Sequence, residues 1–294
     1  MGLTIHAAKM LRQSKLDGAE FTKVCQVGRQ ALVIHPEDRL AVGLKDASVP
    51  IQNNDYLWPW ADSFFRDTLG VRDFHTMDYS DYEGADLLHD LNSPLAPEHY
   101  GRFDVIVDGG TLEHIFNVPE ALKSYMRLVK VGGRVFIFTP ANGNCGHGFY
   151  QFSPEFFYRV FQPSNGFEVV RLWAVTHPFP SNFLSRKETC YAVEDPAVVR
   201  DRVIISRSGP MMIMVEARKV NENEPFASGP PLQSDYVAEW KDPNEAGADS
   251  SVTKGGLKNL ILGLLPLRGR YWLRGLKQRR SQSLTGSPYI RRIF

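Results

Sequence analysis

Asp108-Gly109-Gly110-Thr111 runs straight into Leu112-Glu113-His114, which sets two carboxylates, a hydroxyl and an imidazole around a pair of glycines. Glycines at such a point let backbone approach a flat ligand closely, because no Cβ holds it off. His114, with an ordinary pKa of about 6.5, can take a proton from a substrate hydroxyl; the bland alternative is a histidine that caps and packs its loop. A second run, Gly143-Asn-Cys-Gly-His-Gly-Phe-Tyr-Gln-Phe-Ser153, mixes three glycines with polar and aromatic groups. That composition suits a substrate wall, and His147 within it is the alternative base. Earlier in the chain Gly28 and Asp78 each close a short apolar run. A carboxylate at a strand end can accept both hydrogen bonds of a ribose diol, and the rival reading of Asp78 is a solvated turn residue. Asp90 follows a third such run, where the alternative to ligand binding is a loop cap.

These residues need a scaffold that brings them to one rim. Lys23–Gly28, Phe74–Met77 and Asp86–Leu91 read as short strands, and Phe103-Asp-Val-Ile-Val-Asp108 is the strongest. Pro119 to Val129 carries Ala121, Leu122, Tyr125, Met126 and Val129 on one helical face, with proline suited to its first turn. Gly132-Gly133 is expected to end that helix before a buried strand, Arg134–Thr139. Ser153 can cap a helix from Pro154 to about Phe161. Phe167–Val175 and Met211–Ala217 complete the strands. Trp60–Leu69 has helical spacing stopped by Gly70, residues 36–60 read as loops around one short helix, and the first twenty residues read as a short surface helix. Strands alternating with helices, several of them apolar on both faces, imply an open, doubly wound α/β sheet with its ligands at the carboxyl ends of the strands.

The run Phe103 to Ile115, then Pro119-Glu-Ala-Leu122, then Leu128-Val-Lys-Val-Gly-Gly133 and a strand to Thr139-Pro140, resembles the second half of a class I S-adenosylmethionine-dependent methyltransferase of the type 11 kind. The resemblance spans roughly Lys23 to Val220. It implies a seven-stranded, mostly parallel, Rossmann-like sheet whose last strand, here Met211–Ala217, runs antiparallel. It further implies S-adenosylmethionine as cofactor, held by Gly28, Asp78, Asp90, Asp108, Gly109, Gly110 and Thr111, with Asp90 at the position that meets the adenine amino group. His114 and His147 would then stand near the acceptor, a small molecule or a glycan- or lipid-linked intermediate. The first half departs from the family: Val24-Cys-Gln-Val-Gly-Arg-Gln30 has one glycine where the family clusters several, and Gln26 where it has an acid. That departure supports the rival expectation, a non-catalytic binding or scaffold protein that kept the fold. A nicotinamide-dependent oxidoreductase needs Gly-x-Gly-x-x-Gly at this turn, which Val27-Gly-Arg-Gln-Ala-Leu32 does not provide.

The chain has 294 residues, 43% hydrophobic and 23% charged, the usage of a soluble globular protein rather than a disordered or multi-span one. No Walker-type run, His-Glu-x-x-His or Gly-x-Ser-x-Gly occurs, and the three cysteines share no metal-ligand spacing, so no metal site is expected. The odd cysteine count, together with the lack of an apolar signal segment or a spanning apolar run, suggests a cytoplasmic protein. The net charge of +1 conceals an asymmetry: residues 250–294 hold ten Lys/Arg and no acid, leaving 24 basic against 33 acidic residues elsewhere, or −9. The expected organisation is a methyltransferase-like domain over 1–220, an acidic Pro/Gly-rich linker over 221–250 and a basic amphipathic tail over 251–294. The tail, Lys254 to Phe294, can lie peripherally on an anionic membrane, dock another subunit or remain disordered. No specific nucleic acid is expected as a partner.

Overall fold

The computed structural model describes residues 2–44, 58–178, 187–200, 202–205, 209–241 and 282–294, together with 269, 272, 273, 275, 276, 279 and 280. In chain order the elements are β1 (Gly2–Thr4), α1 (Ile5–Leu16), β2 (Lys23–Val27), β3 (Ala31–Val33), β4 (Asp73–Asp78), β5 (Leu87–Leu88), β6 (Phe103–Asp108), α2 (Val118–Leu128), β7 (Val129–Asn142), α3 (Pro154–Val160), β8 (Phe167–Thr176), β9 (Cys190–Val193), α4 (Pro196–Val199), β10 (Met211–Lys219), α5 (Ser234–Lys241) and β11 (Ile290–Arg292).

The main sheet has nine strands rather than seven, in the order β11-β9-β8-β10-β7-β6-β2-β4-β5. From β5 to β8 the arrangement follows the expected plan: β5, β4, β2, β6 and β7 pair in parallel, and β10 enters antiparallel between β7 and β8. The two additional strands, β9 and β11, are antiparallel additions beyond β8. Each is only three or four residues long, too short for alternation to announce it. Strand order reverses between β2 and β6, which places the switch point, and hence the natural crevice, at their carboxyl ends.

Two apolar layers cover the sheet. Ala121, Leu122 and Tyr125 of α2 with Phe157 and Val160 of α3 fill one face. Ala7, Ala8, Met10 and Leu11 of α1 with Phe64 and Phe65 fill the other. The first helix is therefore a core element and not a surface one. Its polar Ser14 is accommodated by donating to Glu216 of β10 (2.6 Å), which also receives Arg134 and Arg171 at 3.2 and 2.9 Å.

Three further expectations change. β7 begins at Val129, and Gly132-Gly133 forms a bulge inside the strand instead of stopping α2: pairing steps from Phe103↔Val129 to Val105↔Arg134. Gly132 has φ +83°, and a Cβ on Gly133 would lie 2.6 Å from the Asp104 carbonyl oxygen, so the bulge needs both glycines. Within the expected 221–250 linker, α5 is a helix whose Ser234 N–H donates to Glu155 at 2.7 Å. The last described stretch belongs to the sheet through β11, and Phe294 packs on Trp173 and His6 with ring centroids 5.7 and 5.8 Å apart. Residues 269, 272, 273, 275, 276, 279 and 280 are helical, and Trp272 is exposed. The rest of the basic segment, including Lys254, lies outside the described residues, as do positions 45–57 of the expected loop. Among the described residues no helix is long and apolar enough to cross a membrane. The serine cap of α3 is as expected, Ser153 Oγ accepting from the Phe156 N–H.

Candidate functional site

At the β2/β6 switch point a cavity of about 390 Å³ opens between the strand ends. Gly28, Asp78, Asp90 and Thr111, expected from sequence to meet at this rim, all line it. Gly28 turns with φ +65°, and a Cβ there would lie 3.1 Å from Thr111 Oγ1, so backbone conformation and space both favour glycine. Thr111 Oγ1 donates to the Val27 carbonyl at 3.0 Å, tying the turn after β6 to the end of β2. Asp78 and Asp90 are both half-exposed. Asp78 accepts the Tyr79 N–H at 2.6 Å, while the backbone and side-chain N–H groups of Asn92 hold the Asp90 carboxyl below its ordinary value. Each carboxylate retains acceptor capacity toward the cavity.

Val27, Met77, Tyr79, His89, Leu91, Asn92 and Ile115, which were not singled out from sequence, complete the lining. Their signal was adjacency: each stands next to, or within a few residues of, a position already singled out. Burial depresses the His89 pKa, so this imidazole is neutral near pH 7.

Arg29, whose bulk could have closed the cavity, points away. Its guanidinium donates to the Glu83 carbonyl and to Asp62 at 3.1 and 3.2 Å and lies over Trp60, 4.8 Å from the ring centre. Gln30 takes the tighter place. Its amide nitrogen donates to the Val27 and Gly28 carbonyls at 2.7 and 2.9 Å, and a Cβ on Gly109 would overlap its amide oxygen. That oxygen is buried without a hydrogen-bond partner. After Gln30 the chain continues as β3, paired in parallel with β1, where a doubly wound fold usually starts a helix.

Asp108, Gly109 and Gly110, also expected to touch the cofactor, are not among the lining residues. The Asp108 carboxylate is fully buried and accepts from the N–H groups of Gly110, Thr111 and Leu112 at 2.8, 2.6 and 3.0 Å and from the Tyr125 hydroxyl at 2.9 Å. Burial pushes its pKa up against the pull of these donors. Its work is to hold the turn that presents Thr111.

On the far side of that turn Glu113, His114 and His147 converge. The two rings meet edge to face, 5.0 Å between centroids, and His147 Nε2 is 3.7 Å from Glu113 Oε1. Glu113 is fully buried; Thr139 Oγ1 donates to its Oε2 at 3.0 Å. Burial, helped by the nearby Asp108 carboxylate, pushes its pKa up to about 8. Burial lowers both histidines, and for His147 the neighbouring His114 adds to the effect. The Glu113 carbonyl accepts the Phe149 and Tyr150 N–H groups at 2.7 and 3.2 Å, which docks the glycine-rich loop onto the turn. Phe116 and Phe149 flank the cluster, 74% and 69% exposed, so its mouth is both aromatic and wet. Beyond the loop a second cavity, about 520 Å³, is lined by Gln151, Phe152 and Ser153 among others.

No family model matches the chain, and no curated protein matches it. Among solved structures it is similar to the 1,6-didemethyltoxoflavin N1-methyltransferase of Burkholderia thailandensis, solved with S-adenosylhomocysteine: 13% identity over 74% of this chain and 78% of that one, TM-score 0.39. It is similar also to the YcgJ protein of Bacillus subtilis, with 11% identity over 72% and 99% and TM-score 0.39. A third is an S-adenosylmethionine-dependent methyltransferase of Thermotoga maritima, with 14% identity over 73% and 91% and TM-score 0.40. Likeness at this level assigns no activity.

Proposed function

We propose that this chain is an S-adenosylmethionine-dependent methyltransferase of the class I type, acting on a small-molecule or glycan/lipid-linked acceptor. The observation that carries the reading is the open cavity at the strand-order reversal, where Gly28, Asp78, Asp90 and Thr111 meet while Arg29 is held aside. A volume of about 390 Å³ lies within the ordinary range of small-ligand sites. The acceptor set fits the cofactor: Asp78 would accept from the ribose hydroxyls, Asp90 from the adenine amino group, with Leu91 and Ile115 as apolar walls for the base. The Gln30 amide oxygen lies against Gly109, off the cavity wall, so the amino-acid portion would meet the backbone at Gly28.

When bound, the cofactor supplies a methyl group already activated as a sulfonium substituent, so positioning supplies most of the catalysis. The chain's own part is to hold the acceptor on the His114/His147 side of the turn and receive a proton from an acceptor hydroxyl. Both imidazoles are neutral near pH 7 and hence competent to take it. The exposed Phe116 and Phe149 suit an acceptor with an apolar body, and the loop carrying His147 would form its wall.

Cofactor titration by calorimetry tests this. The expected result is micromolar binding weakened tenfold or more by Asp78→Ala; no heat from the correctly folded protein overturns it. The second reading, a binding or scaffold protein with this fold, draws on Gln30 filling the space over Gly109 and on β3 replacing a helix after the turn.

The basic C-terminal segment is proposed to touch an anionic membrane peripherally, through Trp272 and its neighbouring arginines. Because β11 belongs to the sheet, truncation is a poor test. Sedimentation with anionic liposomes should show the double variant Trp272→Ala/Arg274→Gln released relative to the parent chain; equal partitioning would end the idea.

A further inference from the structure

We propose that Glu113, His114 and His147 form a site for one divalent transition metal ion of the zinc class. One ligand atom from each residue lies within 4.8 Å of the others, one carboxylate oxygen and two imidazole nitrogens. The independent observation concerns unpaired atoms. Glu113 Oε1, on a fully buried residue, has no hydrogen-bond partner, and neither does His147 Nε2, which faces it 3.7 Å away. That separation is too long for a hydrogen bond and close to the spacing of two ligands on one ion. Tetrahedral zinc with bonds of about 2.0–2.1 Å sets its ligands roughly 3.3–3.5 Å apart.

The surroundings are built for such a role. Thr139 fixes the carboxylate through Oε2 and leaves Oε1 directed at the histidines, the outer-shell arrangement that orients a metal ligand. Glu113 is fully buried on the turn after β6, whereas His147 lies on a loop with positive φ at Gly143, Gly146 and Gly148. That loop can supply the shift of about 1 Å needed to close the set around an ion of this bond length. Two imidazoles with one carboxylate favour zinc, cobalt or iron over magnesium and calcium, which take oxygen ligands. Three protein ligands leave a fourth position open, and the exposed side of His114 with Phe116 and Phe149 directs that position toward solvent. The ligand completing the shell would carry an oxygen donor on an apolar or aromatic body. Where methyl transfer is the reaction, this deepens the proposed function: the histidines hold the metal in place of serving as base, the acceptor oxygen is placed by coordination, and its proton, made more acidic by the ion, leaves to solvent.

The full-length protein, stripped with a chelator and dialysed, should be titrated with Zn²⁺ by calorimetry and with Co²⁺ by visible absorption. The expected result is one equivalent bound, with the intense absorption of four-coordinate Co²⁺, and affinity reduced at least tenfold by His147→Ala and by Glu113→Gln. His147→Ala sits on a half-exposed loop and tests the site without disturbing the core. Asp78→Ala should leave metal affinity unchanged, which separates this outcome from any failure of cofactor binding. Absence of binding, or equal affinity in the parent and in His147→Ala, overturns the proposal.

Discussion

The carboxylates on the two sides of the switch point are used in opposite ways. Asp78 and Asp90, at the ends of β4 and just past β5, stand half-exposed at the cavity wall. Asp108, at the end of β6, is fully buried and committed to four donors of its own chain. All three are aspartates at or just past a strand end, so residue type and spacing cannot separate them. What separates them is whether the following turn wraps the carboxylate, since Asp78 and Asp90 each receive a single backbone N–H. After Asp108 it does, because Gly109 and Gly110 let three successive N–H groups point at one side chain.

The largest expected effect tests the buried side. Asp108→Ala strands three backbone N–H groups and the Tyr125 hydroxyl, and should cost about 3 kcal/mol or more in urea denaturation, since each unsatisfied buried donor costs about 1–3 kcal/mol. Asp78→Ala should leave stability within about 0.5 kcal/mol, as surface substitutions do, while weakening cofactor binding tenfold. Equal destabilisation by the two variants would break the contrast.

Gly109→Ala drives a methyl group into the Gln30 amide and should cost about 1–3 kcal/mol, the usual penalty of overpacking. Gln30→Ala in the same chain should restore most of that loss. A double-mutant cycle with no coupling would show that Gln30 does not guard this space.

The smallest effect concerns His89. Its folded-state pKa lies below the ordinary 6.5, so the unfolded chain binds the extra proton first. Stability should therefore fall as pH drops from about 6.5 toward the folded value, and His89→Gln should make that slope shallower in thermal melts at pH 5, 6 and 7. An unchanged slope would place the proton uptake on other histidines.

Much of the scaffold was legible. Phe103–Asp108 was read to the residue because its apolar run is unbroken, and the Ser153 cap was found because serine before proline states a helix start. The four residues gathered at the cavity were legible because topology alone fixes where strand ends go. Burial of α1 was not: its polar residues, such as His6 and Ser14, mask an apolar face, and they are satisfied by Glu188 and Glu216, 182 and 202 residues away. Likewise Gly132-Gly133 reads as a helix stop and serves as a bulge, because the crowding that demands glycine comes from Asp104 on a neighbouring strand. The Glu113–His147 approach was hidden for the same reason, since 34 positions and a whole strand separate the two residues.

Docking of β11 alters how the cationic segment must be pictured. Ile290–Arg292 pairs with β9 at the outer edge of the sheet, so the last two basic residues, Arg291 and Arg292, are fixed to the body. Whatever those two charges grip is thereby tied to the edge strand. Removing Ile290–Arg292 would therefore bare the edge of β9, and an uncovered strand edge is a template for pairing with another chain.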